Sequence, residues 1–360
     1  MGHPELENKG REQRDTQNSD FSDRVPSTSL ISTAPFQRDA VGMTRPRSEL
    51  VPIGAAGAYH CVQRCVRRAL LCGVDQYTGR SFEHRKSWVE ARIRLMAECF
   101  AVAIDAYAVM SNHLHLVLRI DSCVAAEWSD DEVAQRWVRV FPPREDTEEA
   151  IALKCQRLLV DPQRLDIIRG RLASLSWLMR CLVEPIARRA NLEDGCKGRF
   201  WEGRYKCQVL CDTRAVIAAM AYVDLNPIRA GMADRLEHSA HTSVHERIAA
   251  LRRHPEQATE PLRPVAGGLR PATSLTTADY LQILDWTGRA LAPGKRGRIP
   301  DDAPAILSVI DRDAERWALR IGGFGNGWVR VAGSAQDLMA LAERIGQRWL
   351  KGIGLALRLG

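Results

Sequence analysis

Two kinds of hydrophobic periodicity alternate along the first half of the chain. The run AYAVMSNHLHLVLRI (106–120) is apolar and places Leu114, Leu116 and Leu118 on one face of an extended strand. An earlier run, AYHCVQRCV (58–66), has the same strand-like character. Between them, residues 81–100 carry an apolar stripe at helical spacing, with a serine at the predicted N-cap. This strand–helix–strand order predicts the α+β fold class.

Composition divides the rest of the chain into segments. Residues 1–48 are polar and rich in Ser, Thr and Pro, which predicts a disordered tail. A domain is predicted at 49–245, with a charged helical insertion at about 121–170. Pro, Gly and Thr are frequent in the segment 246–275, which predicts a linker. Helical patterns in 276–360 predict a small helical C-terminal domain.

Two histidines stand two positions apart in the 106–120 run. Because side chains alternate faces along a strand, His113 and His115 point the same way, opposite to the leucines. Two neutral imidazoles side by side can hold a divalent metal ion. The alternative is a pair of half-buried surface histidines on an edge strand.

A second group of polar residues lies near the end of a predicted helix. Thr213 is its predicted N-cap and Pro227 its predicted end. Tyr222 and Asn226 are four residues apart, which places them on one helical face. A phenol and a carboxamide at that spacing can address one reaction centre. The alternative is a buried tyrosine whose hydroxyl has found a partner, with Asn226 at the helix C-terminus.

Together these segments resemble the single-tyrosine HUH transposases (histidine, hydrophobe, histidine), in particular the REP-associated tyrosine transposases. The resemblance covers roughly residues 50–245 and rests on blocks that occur in the family's order: YHCVQRCVRRALLCG (59–73), AYAVMSNHLHLVL (106–118), GRFWEGRYK (198–206) and AYVDLNPIRAGM (221–232). It implies a ferredoxin-like (RRM-like) antiparallel sheet with helices on one face.

The resemblance also implies the roles of the polar residues. His113 and His115 match the family's metal-binding pair, Tyr222 matches its nucleophile, and Asn226 falls where the family has a further metal ligand. The implied cofactor is Mg²⁺ or Mn²⁺. The implied substrate is single-stranded or hairpin DNA, cleaved and rejoined through a 5′-phosphotyrosine intermediate. The implied assembly is a homodimer.

Basic and aromatic residues alternate in the block 198–206. Such a block can grip phosphates and stack bases. We assign to DNA binding the residues Arg64, Arg199, Trp201, Arg204, Tyr205 and Lys206. The alternative is a Phe–Trp pair packed in the core and flanked by solvated charges.

Net charge and cysteine usage indicate the kind of partner and the cellular compartment. The formal net charge is +7, which favours a polyanionic partner. The ten cysteines include no CxxC pair, which argues against a structural zinc site. The first 30 residues contain no apolar signal segment, and no apolar run reaches membrane-spanning length. We therefore expect reduced thiols in a cytoplasmic protein that does not cross a membrane.

Three functions compete on these observations. The first is a metal-dependent transposase-type DNA strand transferase, which mobilises its own gene or serves the host by processing repeats. The second is a non-catalytic nucleic-acid-binding regulator on the same fold. The third is an unrelated metal-dependent hydrolase, which would need acidic ligands near the histidines; Asp105 and Asp224 are the candidates.

Overall fold

The structure, a computed structural model, describes residues 56–66, 70–291, 307–311 and 313–360. The predicted tail at 1–48 lies outside these residues. The predicted α+β class is confirmed: helices surround one six-stranded mixed sheet. No helix in the described ranges has both the length and the apolar character needed to span a membrane.

The sheet has the strand order β5-β2-β3-β1-β4-β6. Its strands are β1 Gly57–Arg64, β2 Val102–Val109, β3 His113–Ile120, β4 Lys206–Leu210, β5 Ala266–Gly267 and β6 Val331–Ala332. The 106–120 run is a hairpin rather than one strand, since β2 ends before residues 110–112 and β3 begins after them. Neighbouring strands are antiparallel except β4 and β6, which are parallel. The predicted all-antiparallel sheet therefore needs one correction, because a strand from the C-terminal region joins its edge.

Helices account for most of the remaining described residues. They are α1 Arg85–Cys99, α2 Ser122–Glu127, α3 Asp130–Val140, α4 Glu148–Leu159, α5 Pro162–Leu172, α6 Leu175–Glu193, α7 Thr213–Asp224, α8 Asn226–Arg229, α9 Ser243–Arg253, α10 Thr277–Leu291, α11 Leu307–Ile310, α12 Ala314–Asn326, α13 Ala335–Arg344 and α14 Ile353–Leu359. The segment predicted as a helical insertion contains α2 to α5.

Helices cover both faces of the sheet, so the prediction of helices on one face is wrong. The face that carries Tyr59, Leu114 and Leu116 packs against α1 and α6. The opposite face, with Ala108 and Val117, packs against α7. The physical reason is that both sets of alternating positions are apolar at the centre of the sheet, so both must be covered from water.

The C-terminal region shares a core with the rest of the molecule. Residues 215–221 of α7 are buried on every side, as expected for an alanine-rich helix with apolar residues all round. The sheet covers one side of α7, and α12 covers the other with Trp317, Ile321 and Phe324. The structure differs here from the predicted linker and separate domain, because β5 and β6 both pair with the sheet.

Local capping follows the sequence in some helices and departs from it in others. Ser129 forms a capping box at the start of α3. At α7 the cap is Asp212, whose carboxylate accepts the Ala215 N–H at 2.6 Å, rather than the predicted Thr213. Helix α1 begins at Arg85 and not at Ser81. Helix α6 continues through Pro185 instead of ending there.

Asp224, a candidate acidic ligand, instead joins three helices in the core. It is fully buried at the end of α7. Its carboxylate accepts hydrogen bonds from the Ser243 hydroxyl, the Val244 N–H at 3.0 Å and the Tyr280 hydroxyl at 2.7 Å. Burial raises the pKa of this carboxyl, and the hydrogen bonds from Ser243 and Tyr280 oppose that shift. The residue therefore has a structural role that ties α7 to α9 and α10.

We expect Asp224→Ala to lower the free energy of unfolding by about 2–4 kcal/mol, because it leaves buried donors without an acceptor. Urea denaturation of the full chain measures this. The matched control is Asp166→Ala, whose carboxylate is 81% exposed and which should change stability by less than about 0.5 kcal/mol. Equal midpoints for both variants would contradict the structural role.

Candidate active site

The histidine pair lies on the sheet face that α7 covers. The His113 and His115 ring centroids are 4.7 Å apart, and the leucines of β3 face the opposite core. His115 is buried, while His113 is half-exposed at the start of β3. The alternation of side chains along β3 therefore places both histidines on one face and the leucines on the other, as the sequence predicts.

The end of α7 brings the tyrosine and the asparagine to this pair. The Tyr222 and His115 ring centroids are 5.9 Å apart. Asn226 lies just beyond α7, at the start of α8, and its Nδ2 is 3.2 Å from His115 Nε2. Tyr222 and Asn226 are both half-exposed, so a substrate can reach them. The structure thus brings together four residues that the sequence selected from two distant segments.

A third histidine, His60 of β1, belongs to the same cluster and was missed as a functional residue. Its Nε2 is 2.9 Å from His115 Nδ1, and its Nδ1 is 2.6 Å from Gln208 Oε1 on β4. Gln208 in turn donates from Nε2 to the Trp328 carbonyl at 2.7 Å. The sequence signals were its position in a strand-like run and in the matched block 59–73, but its neighbours depend on how β1 pairs with β3 and β4.

These contacts fix which ring nitrogens carry protons. Gln208 uses its amide N–H on Trp328, so its Oε1 can only accept, and His60 Nδ1 must donate. In a neutral His60 the Nε2 then accepts, so His115 Nδ1 must donate to it. The lone pair of His115 is left on Nε2, which faces Asn226. We call Trp328, Gln208, His60 and His115 the histidine relay.

All three imidazoles are held in the neutral form by burial. Burial lowers the pKa of His60 to about 4, against a smaller opposing effect of the Gln208 hydrogen bond. Burial and then the Arg64 charge lower the pKa of His113 to about 4. The pKa of His115 lies well below its ordinary value, first because of burial and then because of its histidine neighbours and Arg229. Neutral imidazole is the form that binds metal ions.

The donor set fits a divalent ion held by two histidines and an amide. His113 Nδ1 is 2.7 Å from Asn112 Oδ1, and when that oxygen accepts the Nδ1 proton the Nε2 lone pair of His113 is available to a metal ion. Rotating the Asn226 amide by 180° about its last bond would present its oxygen to the same place. Among the described residues, no three His, Cys, Asp or Glu side chains converge as metal ligands. Asn226 would therefore supply the third protein ligand.

The two candidate acidic ligands of a hydrolase, Asp105 and Asp224, are bound to other residues. The Asp105 carboxylate forms a bidentate ion pair with the Arg119 guanidinium, with N–O distances of 2.7 and 2.9 Å. Asp224 is enclosed by its partners on α9 and α10. Neither carboxylate is available to activate water beside His113 and His115.

Two further residues surround Tyr222. The Arg229 guanidinium lies over its ring, 4.5 Å from the centroid, and is exposed to solvent. Phe324 of α12 packs against the rings of Tyr222 and His60 at 5.7 and 5.8 Å. Arg229 stands in the matched block at 221–232, but its position over the phenol follows only from the turn between α7 and α8.

The predicted DNA-binding residues separate into two groups. Arg64, Arg199, Arg204 and Lys206 are exposed, and Arg64 is paired in register with His113 at the edge of the site. Trp201 and Tyr205 are 8% and 7% exposed and belong to the core under α6. Trp201 donates its indole N–H to the Val183 carbonyl at 2.9 Å. The buried rings of Trp201 and Tyr205 cannot stack on bases in this conformation. For Trp201, which contacts Phe200, the alternative of a Phe–Trp pair packed in the core describes the structure.

The relay makes a direct prediction about protonation. Heteronuclear NMR of the histidine rings in the metal-free protein should show His115 protonated on Nδ1. Gln208→Leu removes the acceptor that orients His60 and should give mixed protonation at His115, whereas Gln208→Glu keeps an acceptor and should not. Mn²⁺ affinity should fall about 10- to 100-fold in Gln208→Leu. Protonation of His115 on Nε2 in the unaltered protein would refute the relay.

Comparisons with known proteins give one likeness. No family model matches the chain, and no curated protein matches it. A solved structure described as the REP-associated tyrosine transposase bound to a REP hairpin shares 11% sequence identity. The likeness covers 61% of this chain and 90% of that one, with a TM-score of 0.29.

Proposed function

We propose that this protein is a DNA strand transferase of the tyrosine transposase type, acting on single-stranded or hairpin DNA. The observation that carries the proposal is the convergence of His113, His115, Tyr222 and Asn226 on the sheet face that α7 covers. The exposed Arg64 and Arg229 beside them supply charge for a phosphate. The chain order β1-α1-β2-β3-α6-β4 and the central order β2-β3-β1-β4 also support the ferredoxin-like interpretation of the fold.

In the proposed reaction, the Tyr222 hydroxyl oxygen attacks the phosphorus of a phosphodiester. The new bond joins the 5′-phosphate to the tyrosine, and the bond to the 3′-oxygen breaks. The proton lost by the phenol is balanced by the one gained at the released 3′-hydroxyl. Since the energy of the phosphodiester is kept in the phosphotyrosine, a 3′-hydroxyl can reverse the step and rejoin strands without ATP.

Other residues around the tyrosine would position the phosphate, restrict the phenol ring and hold the metal ion. Arg229, over the phenol ring, would hold a non-bridging phosphate oxygen next to the nucleophile. Phe324 and the His60 ring pack against the phenol and limit its directions of approach. His113, His115 and Asn226 would hold Mg²⁺ or Mn²⁺, which when bound supplies polarisation and orientation of the scissile phosphate.

The test is incubation of the full chain with end-labelled single-stranded DNA hairpins and Mn²⁺. The expected product is a protein–DNA adduct that survives denaturation. Tight binding of the hairpin without any adduct would instead support a non-catalytic regulator, and release of a free 5′-phosphate would support a hydrolase.

A homodimer, in which two tyrosines serve two strand exchanges, is part of the proposal. Analytical sedimentation of the full chain tests it.

A further inference from the structure

The segment 347–351, between α13 and α14, exposes a large aromatic ring. The Trp349 side chain is 66% exposed, although tryptophan is a residue whose apolar surface is usually covered. It contrasts with Trp201, the tryptophan of the block at 198–206, which is enclosed in the core. Trp349 therefore offers an exposed indole ring in a different part of the chain from the block at 198–206.

Trp349 borders a cleft of about 400 Å³ whose charged residues are all cations. The cleft is lined by Val329, Arg330, Gln347, Arg348, Trp349, Leu350 and Lys351, and no carboxylate lines it. Among the residues that the structure describes, Arg330, Arg348 and Lys351 form no ion pair. A flat ring among three unpaired cations is suited to a ligand that has both stacked planar groups and negative charge.

The backbone holds this segment in a fixed shape. Gly346 ends α13 in the left-handed region, at φ 64°, with the hydrogen bonds of a helix C-cap. Gly352 has φ 114°, and a Cβ there would come within 2.9 Å of the Trp328 ring. Leu350, between the two glycines, is buried and anchors the segment in the core. Such a fixed loop loses little conformational entropy when a ligand binds.

The cleft begins at Val329, the residue directly after Trp328 of the histidine relay. The Trp328 carbonyl accepts from Gln208, which contacts His60. The Arg330 carbonyl accepts the Val209 N–H at 2.8 Å, where β6 pairs with β4. The segment 328–330 therefore links the cleft to the candidate active site through β4 and β6.

We propose that this cleft binds single-stranded DNA, with a base stacked on Trp349 and phosphates contacted by Arg330, Arg348 and Lys351. The inference rests on the proposed function for the choice of DNA and adds a second contact area to it. A base must be unpaired to stack on a protein side chain, so the cleft selects single strands over duplex. An acidic peptide would satisfy the cations but would leave the indole face without a matching planar group.

The test is fluorescence anisotropy of labelled oligothymidine titrated with the full chain. Trp349→Ala should weaken binding about five- to a hundredfold, the range found for loss of one base–aromatic stack. Removing Arg330, Arg348 and Lys351 together should reduce the slope of log affinity against log salt by about 2, because each phosphate contact to a single strand contributes about 0.7. The matched controls are Tyr77→Ala, an exposed aromatic elsewhere, and Arg252→Ala with Arg253→Ala on α9; neither should alter binding.

The outcomes separate this inference from the proposed function. Unchanged oligothymidine binding in Trp349→Ala would refute the proposal that the cleft binds single-stranded DNA, even when the unaltered chain forms the tyrosine adduct. If binding depends on Trp349 but no adduct forms, the cleft proposal is supported and the proposed strand-transfer reaction is refuted. Displacement of oligothymidine by duplex or by polyglutamate at equal concentration would also overturn it, in favour of a different partner.

Discussion

Replacing Tyr222 with phenylalanine is expected to reduce the covalent protein–DNA adduct by at least about 10⁴-fold, to the limit of detection, because the nucleophilic oxygen is the only atom removed. The phenylalanine ring keeps its packing against His60, His115 and Phe324, so folding and hairpin binding should stay close to those of the unaltered chain. Denaturing gels of end-labelled hairpin measure the adduct, and thermal unfolding checks the fold.

The matched control is Tyr205→Phe. Tyr205 also stands in a block that resembles the family, but it is buried in the core under α6 and away from the solvent. Its variant should still form the adduct. Mass spectrometry of the trapped peptide identifies the attachment point, and a nucleotide on the peptide that contains Tyr205 would reverse the assignment.

Removing both imidazoles with His113→Ala and His115→Ala is expected to slow cleavage by about 10³-fold or more. The reason is that charge stabilisation by a bound metal ion contributes several kcal/mol to the transition state. Binding of the DNA hairpin should change by less than about threefold, since the arginines proposed to contact phosphates lie on other elements. Mn²⁺ binding, measured by calorimetry without DNA, should be lost in the same variant.

Two controls accompany this variant. His254→Gln alters an exposed histidine outside the cluster and should leave both readouts unchanged. The His115 change also deprives the buried His60 of its donor, so the thermal midpoint of each variant must be compared. Full cleavage activity in a folded double variant would remove the metal site from the proposed mechanism.

The sequence by itself determined the features that depend on short-range periodicity. Alternation along β3 placed His113 and His115 on one face, and the capped, alanine-rich pattern placed Tyr222 near the end of a helix. These features follow from backbone geometry, in which a side chain's direction is set by its position within the element. They were enough to select the four polar residues that the fold brings together.

Only the tertiary structure decided which residues support those four. His60 and Gln208 reach the site because β1 pairs with both β3 and β4 in a specific register, which no local pattern encodes. Packing likewise enclosed Trp201 and Tyr205 in the core, and it brought Phe324 and Trp328 from the C-terminal region against the site. The physical reason is that strand register and burial depend on contacts between elements that are separate in the sequence, and the free energy of these contacts is realised only when the whole core assembles.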